Sequence, residues 1–234
     1  MSEQPVQSIW LRPERSGRGP APAFDRERLA AAGVALADAD GLPAVTMRAV
    51  AQALGAGPAS LYRYVATREE LLELMIDQAV GEVRLPDPRS GRWLDDLLAL
   101  ARANRELYLR HPWLLDATAS RSPLGPHAIT QLEYGLAALA GLAVPPGTKL
   151  EALGVLNAVV AALSRTEAAQ RLAGRTLPQW QQAQQEYLAQ AVGTGCHPHL
   201  AAALDGTSAT RQRESAELQF DRMVTRVLNG LLQS

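Results

Sequence analysis

Residues 52–65 read QALGAGPASLYRYV, and the Gly55-Ala56-Gly57-Pro58 break in that stretch constrains the fold more than any other feature. Before it, Thr46 has the side chain of a helix N-cap. Met47, Val50, Ala51 and Leu54 then follow at i, i+3, i+4 and i+7, the spacing of one buried helical stripe. Gly55 ends that helix. Pro58 suits the first position of a second helix over 58–65, with Gly57 as its cap. That second helix is too short to stand alone, so Leu61 and Val65 must anchor it on its partner. Ala59, Ser60, Tyr62 and Arg63 are then left facing solvent. A short braced helix of this kind fits the major groove of B-DNA, about 12 Å wide. Tyr and Ser hydroxyls and helix N-termini bind phosphates, and Thr46 and Arg68 each begin a helix where a phosphate can sit.

Helical signals dominate the rest of the chain. Residues 1–23 are rich in Pro, Gly and Arg and aperiodic, which predicts a mobile arm. Asp25 is placed to cap a first helix, with Phe24 packing on Leu29 as a hydrophobic staple. Leu29, Ala32 and Leu36 share a face, and Gly41 supplies the stop. Thr67-Arg68-Glu69-Glu70 is a capping box ahead of Leu71, Leu72, Met75, Ile76 and Ala79. Longer helices are predicted near 92–110, 112–119, 125–143, 147–173, 178–192 and 211–232. No segment alternates with the period of a strand. The expected fold is all-α: an arm (1–23), a helix-turn-helix unit (24–70) and a larger helical bundle (71–234).

Composition narrows the class. Hydrophobic residues make up 47% of the chain, which a globular core requires and a disordered chain lacks. No run is read as approaching the roughly 18 apolar residues of a membrane span. The N-terminus lacks a signal-peptide pattern, and the single cysteine, Cys196, cannot form an intrachain disulfide. A cytoplasmic location is expected. The net charge of −1 gives no global argument for nucleic acid, although residues 1–68 hold eight arginines against six acids while the remainder holds fifteen bases against eighteen acids.

TMRAVAQALGAGPASLYRYVATREELLELM (46–75) resembles the DNA-binding signature of the tetracycline-repressor (TetR) family of bacterial regulators. The family pattern of T-x-x-x-[IV]-A, a small-Gly turn and L-Y-x-[HY]-[FV]-x-x-[KR]-x-x-L-L falls here on Thr46, Val50-Ala51, Gly55 to Gly57, Leu61-Tyr62, Tyr64-Val65, Arg68 and Leu71-Leu72. The resemblance implies phosphate contacts from Thr46, Tyr62, Tyr64 and Arg68. It implies base-edge or groove contacts around Arg48, Pro58, Ala59, Ser60 and Arg63. Arg68 replaces the commoner Lys and Val65 the commoner Phe. Tyr64 also reads as a half-buried core tyrosine with no ligand role, and Arg48 as an ordinary solvated charge. In the arm, Arg12, Arg15 and Arg18 recur every third residue and suit a narrow minor groove, or else a solubilising tail that Glu14 dilutes.

In the larger region, Leu153, Leu156, Val160 and Leu163 form one stripe, interleaved with Gly154, Ala158, Ala161 and Ala162. The last helix carries Phe220, Met223, Val227 and Leu231, with Val224 and Leu228. Both faces are wider than a single core stripe needs, and the resemblance implies that they form a four-helix dimer interface. Isolated polar groups, Asn104, Tyr108, Trp113, His127, Gln131, Tyr134 and Asn157, sit among apolar ones, as in small-molecule pockets. Each alone also reads as a cap, a core group or a surface group. HPWLLD (111–116) resembles a segment of the tetracycline-repressor-type C-terminal domain. Cys196-His197-Pro198-His199 lacks a fourth ligand and a standard spacing, so no metal or cofactor is expected. No nucleophile elbow, phosphate loop or Glu-x-x-His pair is present, so no catalytic residue is expected. The expected partners are double-stranded operator DNA, a second copy of the chain and a small-molecule effector, with no membrane. The expected function is a homodimeric repressor released from a palindromic operator. An activator, a ligand-independent regulator of the same fold and a helical-bundle enzyme are the alternatives.

Overall fold

A computed structural model of the chain describes residues 8–13, 24–86, 91–119, 124–173, 176–205 and 215–233. Among these residues every regular element is helical. Helix α1 (Arg26–Asp40) starts where the Asp25 carboxylate accepts from the Arg28 N–H at 2.7 Å. It stops at Gly41, whose φ of +79° disfavours any residue with a Cβ. Its buried side is Leu29, Ala30, Gly33, Val34 and Ala37, while Ala32 and Leu36 are only half-buried. Gly33 faces α4 (Arg68–Val80) so closely that a Cβ there would lie 2.6 Å from the Met75 sulfur.

Helix α2 (Met47–Ala53) is capped by Thr46 Oγ1, which accepts from the Ala49 N–H at 3.0 Å. Val50 and Ala51 are fully buried and Met47 and Leu54 flank them. The break at Gly55 has φ +65°. Helix α3 (Pro58–Leu61) is shorter than expected, because the Tyr64 N–H bonds the Leu61 carbonyl and closes a turn there. Leu61 and Val65 are nevertheless both fully buried. Thr67 Oγ1 caps α4 by accepting from the Glu70 N–H, and the Glu70 carboxylate takes the Ala66 N–H.

Residues 8–13 correct the expectation of a mobile arm. Ile9 opens a 3₁₀ turn (Ile9–Leu11) and is buried in the core. The Arg26 guanidinium donates to the carbonyls of Ile9 and Arg12, each at 3.0 Å. Arg12 itself pairs with Glu70. One buried isoleucine, with its backbone held, fixes the segment. Arg15 and Arg18 lie outside the described residues.

The larger bundle holds α5 (Trp93–Arg110), α6 (Leu114–Ala117), α7 (Pro126–Ala138), α8 (Pro146–Ala173), α9 (Thr176–Gly193), α10 (Pro198–Asp205) and α11 (Ala216–Leu232). Helix α10 has no counterpart among the expected helices, its eight residues being too few for a stripe to show. Helices α5 and α8 pack together with α11 against both, and α7 lies across α4, α5 and α8. Arg105 ties α5 to α8 through a two-pronged pair with Glu167 (2.7 and 2.8 Å), and Arg102 ties α5 to α11 through Asp221. Helix α8 corrects the reading that no segment is long and apolar enough for a membrane span. Within Pro146–Arg171 an 18-residue window has a mean hydropathy of 1.2. One side of it packs on α5, α7 and α11, while Val155, Ala158 and Ala162 stay exposed.

Replacing the anchor of α3 tests this packing. Leu61→Ala should lower the unfolding free energy by about 2–5 kcal/mol, the cost of a cavity at a fully buried leucine. A denaturant midpoint equal to wild type would show that α3 is held by something else.

Candidate nucleic-acid interface and ligand cavity

The solvent side of α3 is polar and open. Pro58, Ala59 and Arg63 are exposed, Ser60 is half-buried, and Tyr62 retains 55% of its surface. Thr46 and Arg48 are exposed beside them on α2, and a shallow concavity lies between the two helices, lined by Arg48, Gln52, Gly55, Ala56 and Pro58. Thr46 uses its oxygen as a cap, which leaves its O–H to donate. Ser60 donates to the Gly57 carbonyl at 2.6 Å, which leaves its lone pairs to accept. The structure thus leaves Thr46, Arg48, Pro58, Ala59, Tyr62 and Arg63 exposed and Ser60 half-buried, with Arg48 and Pro58 lining one concavity.

Two residues differ from the expectation of freely offered contacts. Tyr64 is half-buried and packs on the core. The Arg68 guanidinium donates to the carbonyls of Val45 (2.8 Å) and Leu42 (3.1 Å). It therefore clamps the loop that leads into Thr46. The reason is geometric: the first turn of α4 lies beside that loop, whose carbonyls attract a nearby cation.

A cavity of about 360 Å³ lies where α4, α5, α7 and α8 meet. Ile76 and Val80 of α4, Leu107 of α5 and Leu153 and Leu156 of α8 supply apolar wall. Asn104, Tyr108, Thr118, Gln131 and Asn157 are its polar points, and among the described residues none that lines it is charged. The Tyr108 hydroxyl donates to Asn157 Oδ1 at 3.3 Å. Burial raises the Tyr108 pKa above its ordinary value, against the opposing pull of hydrogen bonds to Asn157 and Thr118, so the hydroxyl keeps its proton. Among the described residues Gln131 Nε2 is sealed from solvent with no hydrogen-bond partner.

The other three residues expected in the pocket lie elsewhere. Trp113 is buried, and its Nε1 donates to Asp38 at 2.8 Å. Its neighbour His111 is also buried, with Nδ1 2.7 Å from Asp38 and Nε2 3.1 Å from Glu82. His127 sets Nδ1 2.9 Å from Asp77, and Tyr134 is buried in the core. Asp77 is the residue that sequence reasoning missed. From α4 its carboxylate accepts the N–H groups of His127 and Ala128, both at 3.0 Å, and so caps α7. Gly125 makes room for it, since a Cβ there would lie 2.3 Å from the carboxylate. The available signal was an acid directly after the apolar run Leu74-Met75-Ile76.

The residues expected at a dimer interface divide. Leu153, Leu156 and Val160 are buried and line the cavity, and Phe220 is buried beneath the Arg105 guanidinium. They are corrected to intrachain roles, because that side of each helix already faces the chain's own bundle. Met223 stays 36% exposed, and Leu163, Val227 and Leu231 are half-buried. The exposed side of α8 holds Val155, Ala158 and Ala162.

Asp77→Ala should cost about 0.5–2 kcal/mol, the worth of a helix cap. It should also speed amide exchange at His127 and Ala128 in the full chain; unchanged protection there would refute the cap. Glu82 gives a pH signature. Burial pushes its carboxyl up, but hydrogen bonds and charge from His111 and Arg110 outweigh this and leave it below its ordinary 4.5. A lowered carboxyl stabilises above its unfolded value and loses that contribution as pH falls through the folded one. Melting temperatures of Glu82→Gln should therefore fall less than those of wild type as pH drops below about 4.5, and parallel acid limbs would contradict the assignment.

Comparison with known proteins agrees with this geometry. The family described as bacterial regulatory proteins, tetR family, matches residues 29–75, and the tetracyclin repressor-like C-terminal domain matches residues 85–234. HTH-type transcriptional repressor DrrR1 of Streptomyces coeruleorubidus is 34% identical over 207 residues, covering 86% of this chain and 77% of that protein. An HTH-type transcriptional regulator of Saccharopolyspora erythraea is 37% identical over 139 residues, covering 59% of this chain and 58% of that one. The crystal structure of the Streptomyces coelicolor TetR family protein ActR in complex with actinorhodin superposes with a TM-score of 0.77 at 27% identity, covering 92% of this chain and 98% of that one. The chain, with its open α3 face and its helical bundle, belongs to the tetR family of DNA-binding transcriptional regulators.

Proposed function

We propose that the chain is a homodimeric repressor that a small molecule releases from a palindromic operator. The observation that carries this reading is the double duty of α4. Met75 packs on Gly33 of α1, while the next residue, Ile76, lines the cavity with Val80. A ligand that displaces Ile76 or Val80 shifts α4, and α4 carries α1 and the α2–α3 pair with it. The names of the relatives point the same way: DrrR1 is a repressor, and ActR has been crystallised with actinorhodin. Release requires the ligand to bind the DNA-incompetent shape more tightly than the competent one.

On DNA, Thr46 and Tyr62 donate to phosphates, Arg68 holds the loop before Thr46 in position, and Tyr64 braces α3. Ser60, Arg63 and Arg48 reach base edges beside Pro58 and Ala59. Two copies pair through Val155, Ala158 and Ala162 of α8 and Met223, Val227 and Leu231 of α11. This places two α3 helices on half-sites roughly 34–36 Å apart.

Selection from a random duplex pool should enrich an inverted repeat. On that duplex Tyr62→Phe should weaken binding about tenfold whatever the base sequence, the worth of one hydrogen bond to a charged oxygen. Arg63→Ala should instead relax preference at one position by about 1–3 kcal/mol. Gel shifts unaltered by both changes would sink the contact assignment. Val155→Glu with Met223→Glu should shift the protein to monomer in sedimentation velocity, and a dimer surviving both would place the interface elsewhere.

A further inference from the structure

We propose that Arg12 is a positioning residue for DNA binding: it acts through Glu70 on the turn that leaves α3, and it does not touch the duplex. The inference rests on reading the open side of α3 as the DNA-reading surface. It begins from how little holds that helix. Helix α3 has four residues, too few for its own hydrogen bonds to fix it. Its buried anchors and the connections at its two ends therefore set where it lies. On the entry side Gly55 turns the chain at φ +65°, and the Ala56 N–H returns to the Ala51 carbonyl at 2.8 Å. On the exit side the chain passes from buried Val65 through Ala66 to Thr67, and the Glu70 carboxylate takes the Ala66 N–H at 2.6 Å.

That carboxylate is also where Arg12 ends. One oxygen, Glu70 Oε2, accepts from both the Ala66 N–H and the Arg12 guanidinium. The Glu70 side chain is only 16% exposed, and a carboxylate so far out of water is costly to leave without a cation. Arg12 is delivered there by its backbone. Ile9 is buried three residues earlier, and Arg26 of α1 donates to the carbonyls of Ile9 and Arg12. The links from Arg26 to Arg12, Glu70 and Ala66 thus join α1, the N-terminal turn, α4 and the exit of α3. A basic residue in an aperiodic stretch suits a minor groove, but this one has its charge engaged within the protein.

Salt dependence separates the two roles. Losing a charge contact with DNA makes the plot of log affinity against log salt shallower by about 0.9, whereas losing a positioning contact leaves its slope alone. On the selected duplex, full-length Arg12→Ala should bind about fivefold more weakly at every salt concentration, as expected if α3 holds its competent position about one-fifth of the time. Arg12→Lys should restore most of the affinity. Glu70→Gln keeps an acceptor for Ala66 but loses the charge, so it should cost about as much as Arg12→Ala, and the double variant no more than either. Amide exchange at Ala66 should quicken in free Arg12→Ala. A shallower slope, wild-type affinity in Arg12→Ala, losses that add in the double variant, or unchanged exchange at Ala66 would each overturn the proposal. A wild-type protein that binds no duplex would bring down the DNA-reading role of α3 and this proposal together. A wild type that binds, matched by Arg12→Ala, would bring down this proposal alone.

Discussion

Helix α4 cannot move for one side of the molecule without moving for the other. Leu71 and Met75 are fully buried, and Met75 meets α1 where Gly33 has no side chain to keep the helices apart. One residue further, Ile76 forms cavity wall, and two residues beyond Met75, Asp77 holds the first turn of α7. Packed interiors do not deform smoothly, and both sets of contacts lie on one 13-residue helix. A domain boundary drawn at residue 71 passes through this helix, which is why it belongs to both halves.

The polar contacts between the halves are equally specific. Asp38 at the end of α1 receives both His111 and Trp113 from the turn after α5. Glu82, just beyond α4, receives His111 and Arg110. These are charge-assisted bonds with directional geometry, so they fix the angle at which the DNA-reading unit sits on the bundle. Apolar packing alone would tolerate sliding there.

The bundle divides its apolar surface in two. One side of α8 faces α5 and α7 and, with α4, lines the cavity, whose mouth is open beside Leu124 and Leu150. The opposite side keeps Val155, Ala158 and Ala162 exposed. Apolar residues on both sides are why the composition of this helix matches a membrane span.

Local chemistry was legible in the sequence. The caps at Asp25, Thr46 and Thr67, the stops at Gly41 and Gly55, and the Leu61 and Val65 anchors depend on neighbours within a few residues, and the chain states those neighbours outright. The solvent side of α3 followed, because a helix with two anchors has only one side left to offer. Tertiary structure alone decided which wide apolar face turns inward, as with Leu153 and Phe220, and which polar residues meet across helices, as with Asp77 and α7 or Arg68 and the loop before Thr46. Ile9 is the same case, a hydrophobe in an aperiodic stretch that becomes core because a pocket lies within reach. Periodicity records that a face is buried and is silent about the partner, since any surface of matching shape satisfies an apolar side chain equally well.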